Sequence, residues 1–135
     1  MKKLFFIDGM ALIYRSYYAF INNPLSTKDG FPTSAIYGFL NSILKIIKTE
    51  NPDYITVALD SQKPTFRHKI YSNDKSNRKK MPDELRLQIP EIKKILSKIN
   101  MSTLICDGFE ADDIIATVTK KISNDDLQIF IVTGD

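Results

Sequence analysis

Four short apolar runs lie along the chain, at residues 3–7, 54–59, 102–106 and 127–132. In the segments between them, apolar side chains recur every three or four residues, which is typical of helices. Strands that alternate with helices favour a parallel sheet, and near-continuous apolar strands indicate that both of its faces are covered. We therefore predict an α/β fold in which a parallel central sheet is flanked by helices on both faces.

The second predicted helix follows a loop at residues 22–32. Thr33 or Ser34 can cap its first turn, and Asn51-Pro52 ends it. Its apolar positions follow the helical period of 3.6 residues: Ile36, Phe39, Leu40, Ile43, Leu44 and Ile47.

Three further segments are predicted to be helical: residues 10–20, a segment with Pro82 at its first helical position, and residues 110–123. Pro90 lies inside the second of these, so we expect either a kink there or two abutting helices.

Carboxylates follow all four predicted strands. Because the carboxyl ends of parallel strands meet at one edge of a sheet, where ligands of such folds bind, we expect these side chains to converge. Clustered carboxylates remain ionised together only when cations neutralise them, and oxygen ligands suit Mg²⁺ or Mn²⁺. The predicted metal ligands are Asp8, Asp60, Glu110, Asp112, Asp113 and Asp135.

Each of these acids also has an ordinary structural interpretation. Asp8 can belong to a turn with Gly9, and Asp60 can cap a following helix. The acids at 110–113 can stabilise the first turn of a helix through its dipole. Their coincidence at four strand ends favours a metal site over these separate explanations.

A single histidine, His68, and a single cysteine, Cys106, exclude a disulfide framework and a zinc site with several nitrogen and sulfur ligands. No apolar run approaches the roughly 18 residues of a membrane span, and Asp8 interrupts the short apolar start of the chain. We expect a cytosolic protein that does not enter a membrane.

Residues 63–80 carry seven basic side chains against one acidic side chain, whereas the whole chain has a net charge of only +3. A cationic segment directly after a metal-binding aspartate suits phosphate groups. The rings of Phe66, His68 and Tyr71 can stack on bases. A solvated surface loop is the alternative interpretation of this segment.

Several short motifs follow one another along the chain. They are Phe6-Ile7-Asp8-Gly9, Tyr14-Arg15, Tyr37-Gly38-Phe39, Asp60 with Pro64-x-Phe66-Arg67-His68, Lys75-x-x-Arg78 with Met81-Pro82-Asp83-Glu84-Leu85, Gly108-x-Glu110-Ala111-Asp112-Asp113, and Thr133-Gly134-Asp135. In this order and spacing they resemble the 5′-nuclease domain of bacterial DNA polymerase I, whose wider relatives are the flap endonucleases and PIN-like nucleases.

The resemblance implies a structure-specific 5′-3′ exonuclease or flap endonuclease of DNA replication and repair. It would hydrolyse DNA near a 5′ flap, a nick or a single-strand/duplex junction, with two Mg²⁺ or Mn²⁺ ions held by the six acids named above. Lys75 and Arg78 match the family's catalytic residues, which polarise the scissile phosphate. The expected DNA contacts are Arg15, Phe66, Arg67, His68, Lys69, Lys79 and Lys80.

By the same resemblance, residues 1–135 form the N-terminal portion of the catalytic domain, with an arch or gateway at about residues 63–82. The family adds a helix-hairpin-helix part and further acids, and it often has tyrosine in place of Asp74. We therefore expect a fragment with an incomplete second metal site and little or no nuclease activity. In the full-length protein a polymerase domain can follow on the same chain.

Two other functions stay open: a non-catalytic module that binds DNA junctions, and a PIN-type ribonuclease. Two further classes are disfavoured by the residues after the first strand. A signalling receiver domain would need a pair of aspartates there, and a haloacid-dehalogenase-type phosphatase would need Asp-x-Asp, whereas the chain has Asp8-Gly9-Met10.

Overall fold

The computed structural model describes residues 1–60, 81–106 and 126–133, and the basic segment, the predicted helix 110–123 and Asp135 lie outside this part. The described elements, in chain order, are β1 (Lys2–Asp8), α1 (Gly9–Ala19), α2 (Ser34–Glu50), β2 (Tyr54–Asp60), α3 (Asp83–Lys98), β3 (Ser102–Cys106) and β4 (Leu127–Val132).

The four strands form one sheet in the order β3-β2-β1-β4, and each neighbouring pair is parallel. Ile7 of β1 pairs with Val57 of β2 on one side and with Val132 of β4 on the other. The carboxyl ends of all four strands therefore lie at one edge of the sheet, which we call the carboxyl edge. The predicted α/β fold with a parallel sheet is confirmed.

The three described helices pack on one face of the sheet. Their fully or almost fully buried side chains contact Ile7, Val57 and Leu59, which project from that face. A second cluster, around Leu4 and Phe6, lies on the opposite face. Each large apolar side chain buried in this way contributes about 1.5–3 kcal/mol to folding. None of the helices in the described ranges is long and apolar enough to cross a bilayer.

Only part of the apolar stripe of α2 is buried. Phe39 and Ile43 are buried as expected, but the side chain of Leu44 is 51% exposed and that of Ile47 is 38% exposed. Apolar residues therefore occupy more of the helix circumference than its neighbours α1 and α3 cover.

Helix α3 runs without interruption through Pro90, which is exposed, so the prediction of two abutting helices is wrong. Its first helical residue is Asp83, one position later than predicted, and Pro82 is the N-cap. A proline on the exposed side of a helix leaves one backbone carbonyl without its usual partner, and water can hydrate that carbonyl.

The first turn of α2 is held by a side chain from α3. Thr33 occupies the predicted N-cap position, but its side chain makes no capping hydrogen bond. Instead, Gln88 Oε1 accepts hydrogen bonds from the backbone N–H groups of Ala35 and Ile36, at 2.8 and 3.1 Å. The Gln88 amide nitrogen donates to the Glu84 carbonyl at 3.0 Å, so both the oxygen and the nitrogen of this fully buried amide are hydrogen-bonded.

Candidate active site

Asp8 is the last residue of β1 and the N-cap of α1. Its Oδ1 accepts a hydrogen bond from the backbone N–H of Ala11 at 3.2 Å, and the residue is only 7% exposed. Aspartate is among the residues that helix N-termini prefer, because the carboxylate satisfies an unpaired N–H and the helix dipole favours its negative charge. The sequence thus places a carboxyl group at the carboxyl edge.

Helix α1 begins directly after the strand because position 9 has no side chain. A Cβ atom on Gly9 would lie 2.6 Å from Leu59 Cδ2 and 2.8 Å from the carbonyl oxygen of Ala58. Only glycine allows α1 to approach β2 this closely. The close approach determines where Asp8 stands relative to β2.

Asp60 is the last residue of β2, on the strand next to Asp8. Asp8 pairs in register with Ala58, so the backbone of Asp60 lies two residues farther along the neighbouring strand. Asp60 in turn pairs with Cys106, the last residue of β3. The backbone positions of two predicted metal ligands, Asp8 and Asp60, are therefore brought to one edge.

The other four predicted metal ligands, Glu110, Asp112, Asp113 and Asp135, lie outside the described residues, although the strands that precede them end at the carboxyl edge. Within the described ranges, no three histidine, cysteine, aspartate or glutamate residues are grouped closely enough to hold a metal ion. A buried carboxylate whose backbone is fixed by a strand end nevertheless fits Mg²⁺ or Mn²⁺, because both ions prefer oxygen ligands.

Of the predicted DNA-contacting and catalytic residues, only Arg15 belongs to the described part. It is exposed on α1, seven residues after Asp8. Those outside are Phe66, Arg67, His68, Lys69, Lys75, Arg78, Lys79 and Lys80.

Arg15 lines a cleft of about 350 Å³ between α1 and α2, which also borders Val132 of β4. Lys45 of α2 lines the same cleft. Sequence reasoning missed Lys45, since a single lysine on an amphipathic helix is ordinarily a solvated side chain. Only the packing of α1 against α2 brings the two cations to one cleft.

The match to known proteins extends over almost the whole chain. Residues 3–135 match the family model described as the 5′-3′ exonuclease, N-terminal resolvase-like domain. The chain belongs to this 5′-3′ exonuclease family. It is 44% identical over 135 residues to a 5′-3′ exonuclease of Aquifex aeolicus and 42% identical over 133 residues to DNA polymerase I of Caldicellulosiruptor bescii.

The chain spans only part of these relatives. It covers 46% of the Aquifex exonuclease and 15% of the Caldicellulosiruptor polymerase. The resemblance to the 5′-nuclease domain of bacterial DNA polymerase I is confirmed by both matches.

Solved structures share the fold of this 5′-3′ exonuclease-family chain. The T5 D15 protein co-crystallised with metal ions superposes with a TM-score of 0.66 at 21% identity, covering 99% of this chain and 49% of the T5 chain. A bacteriophage T5 D15 flap endonuclease in a pseudo-enzyme–product complex with DNA and metal ions gives a TM-score of 0.58 at 19% identity, covering 96% and 55%. At these identities the likeness concerns the fold alone.

Proposed function

We propose that this chain forms the N-terminal, metal-binding part of a nuclease that hydrolyses DNA phosphodiester bonds near 5′ ends, as a 5′-3′ exonuclease or flap endonuclease. The observation that supports this most is the buried Asp8 at the carboxyl edge, on the strand next to the one that ends at Asp60. In parallel sheets this edge is where ligands bind.

The proposed metal ligands are the six acids that follow the four strands: Asp8, Asp60, Glu110, Asp112, Asp113 and Asp135. Two bound Mg²⁺ or Mn²⁺ ions would activate the attacking water and stabilise the leaving oxygen.

The remaining proposed roles belong to cationic side chains. Lys75 and Arg78 orient the scissile phosphate and offset its developing charge. Arg15 and the basic residues of the proposed arch, at about 63–82, hold the backbone of a 5′ flap, a nick or a single-strand/duplex junction. Arg15 of α1 lies about 10 Å along the helix axis from the N-cap Asp8, given a rise of about 1.5 Å per residue.

A second candidate is a module that binds DNA junctions without cutting them. The chain spans 46% of the Aquifex exonuclease, and we propose that residues outside positions 1–135 complete the second metal site. On this basis we expect weak or no cleavage by the 135-residue chain alone.

The test compares DNA binding and cleavage by the purified chain on a 5′-flap duplex and on a blunt duplex, with Mn²⁺, with Mg²⁺ and in EDTA. We expect tighter binding to the flap duplex, strengthened by Mn²⁺, and loss of that strengthening in Asp8→Asn. The control is Asp53→Asn, because Asp53 lies at the opposite edge and accepts a hydrogen bond from the Lys3 N–H at 2.7 Å.

Cleavage that requires Asp8 would identify the chain as an active nuclease, and flap binding without cleavage would identify the binding module. Preference for an RNA substrate of the same sequence would favour the PIN-type ribonuclease. No preference for the flap and no response to Mn²⁺ would contradict the proposal.

A further inference from the structure

The cleft between α1 and α2 is formed by small side chains where the helices cross. A Cβ atom on Gly38 would lie 2.7 Å from the Cβ atom of Ser16, so the two helices are in direct contact there. Arg15 and Lys45 stand on opposite sides of the cleft, one on each helix. The cleft is open to solvent, since both cations are exposed.

The charge of this cleft is entirely positive in the part of the chain that the structure describes. The described residues that line it include Arg15 and Lys45 but no aspartate or glutamate. Within that part neither cation forms a salt bridge or a side-chain hydrogen bond. Two unpaired cations that face one open cleft attract an anion with groups on both sides.

The hydroxyl groups in the cleft do not compete for this role. Ser16 Oγ donates to the Leu12 carbonyl at 2.8 Å, and Ser42 Oγ donates to the Gly38 carbonyl at 2.9 Å. Each hydroxyl proton is thus used within its own helix, and only acceptor lone pairs remain. Binding of an anion in the cleft therefore depends on Arg15 and Lys45.

The cleft leads away from the candidate metal site. On α1 the cleft is lined by Leu12, Arg15 and Ser16, and Leu12 lies about one helical turn after the N-cap Asp8. On the side of the sheet it is bordered by Val132, which pairs with Ile7, the residue before Asp8. The cleft therefore begins about one helical turn from Asp8 and borders the strand next to β1.

We propose that this cleft holds the phosphodiester backbone of a DNA strand, with Lys45 and Arg15 contacting phosphate oxygens from opposite sides. The inference rests on the proposed function and adds Lys45 to its DNA-contacting residues. The occupant is a backbone rather than a base, because the free donors of the cleft are the two cations, which suit phosphate oxygens, and the Ser16 and Ser42 hydroxyl protons are already used. Binding there is independent of sequence and sensitive to salt.

The experiment measures fluorescence anisotropy of a labelled 5′-flap duplex in EDTA, at salt concentrations between about 50 and 200 mM. Lys45→Gln is compared with Lys48→Gln, which removes the same charge one turn later on α2 at an exposed position outside the cleft. We expect Lys45→Gln to weaken binding about three- to tenfold and to lower the salt slope by about one, and Lys48→Gln to weaken it less than about twofold. Lys45→Arg should bind as the unchanged chain does.

A second variant fills the cleft without changing its charge. Ser42→Phe should weaken binding as much as Lys45→Gln does, provided that its melting temperature shows a folded chain. If both lysine variants bind equally well, the cleft is not the contact, although the proposed function stands. If the unchanged chain does not bind the flap duplex at all, the proposed function fails and this inference fails with it.

Discussion

Helices α1 and α2 pack on the same face of the sheet, but their first turns are stabilised in different ways. In α1 the cap is local, because Asp8 accepts a hydrogen bond from Ala11, three residues later. In α2 the N-cap residue Thr33 contributes no side-chain hydrogen bond, and Gln88 of α3 accepts the N–H of Ala35 from 53 residues away. The start of α1 is thus stabilised by a neighbouring residue in the sequence, whereas the start of α2 depends on tertiary packing.

The two capping groups also differ in charge, and this difference separates a candidate site from structural support. When ionised, the Asp8 carboxylate attracts a cation even while it accepts a backbone hydrogen bond. The Gln88 amide is neutral, and both of its ends are hydrogen-bonded within the buried interior. A buried polar side chain therefore indicates a candidate ion-binding group at the start of α1 and a structural hydrogen-bonding group at the start of α2.

The largest expected effect comes from removing the distant cap. Gln88→Leu keeps much of the volume but leaves the N–H groups of Ala35 and Ile36 buried without an acceptor, so we expect a loss of about 2–4 kcal/mol in the free energy of unfolding. Urea denaturation measures it. The same substitution at the exposed Gln128 should change stability by less than about 0.5 kcal/mol. Equal effects at both positions would show that the Gln88 hydrogen bonds contribute nothing.

The local cap should behave in the opposite way. Asn also caps helices well, so Asp8→Asn keeps the hydrogen bond from Ala11 while it relieves repulsion among the proposed acids. We expect this variant to melt at a higher temperature in EDTA, with a gain of about 1 kcal/mol, and to lose most of the Mn²⁺-induced rise. Asp53→Asn should keep that rise. A full Mn²⁺ response in Asp8→Asn would mean that Asp8 is not a ligand.

A smaller effect separates the two hydroxyl residues at the start of α2. Ser34 Oγ accepts a hydrogen bond from the Leu25 N–H at 2.8 Å, so Ser34→Ala should cost about 1 kcal/mol. Thr33→Ala should cost less than about 0.5 kcal/mol, because Gln88 does the capping. Differential scanning calorimetry can compare the two variants. A larger loss of stability in Thr33→Ala than in Ser34→Ala would show that the Thr33 side chain caps the helix.

The smallest effect concerns the contact between α1 and the first turn of α3. Burial, then the nearby Glu84 carboxylate and then Tyr18, raise the pKa of Tyr17 above its ordinary value of 10.0. Between the unfolded and the folded pKa the folded chain holds more protons, so stability should fall as the pH rises above about 10. Tyr17→Phe should flatten this fall in urea titrations at about pH 9–11, whereas Tyr37→Phe, at an exposed position, should not.

The features that the sequence predicted are those with a local signal. Strands β3 and β4 have the predicted bounds, because a run of apolar residues between polar ones defines both ends. The position of Asp8 at a strand end also followed from neighbouring residues alone. Its role as a metal ligand, like those of the acids after β3 and β4, stays a prediction.

The features that the sequence did not predict depend on packing between distant segments. Gln88 looks like an ordinary polar residue of a helix until α3 lies against the start of α2. Leu44 fits the helical period but is exposed, since periodicity gives the width of an apolar stripe and not which part of it a neighbour covers. Lys45 and Arg15 line the same cleft only because α1 and α2 pack against each other.

The close approach of α1 to β2 that Gly9 allows has a consequence for the affinity of the proposed ion site. The backbone at Gly9 lies against Val57, Ala58 and Leu59, so the backbone of the neighbouring Asp8 would need little ordering if Asp8 binds the proposed ion. Such preorganisation strengthens binding without any additional contact. It also constrains evolutionary drift, since any larger residue at position 9 would require matching changes in β2.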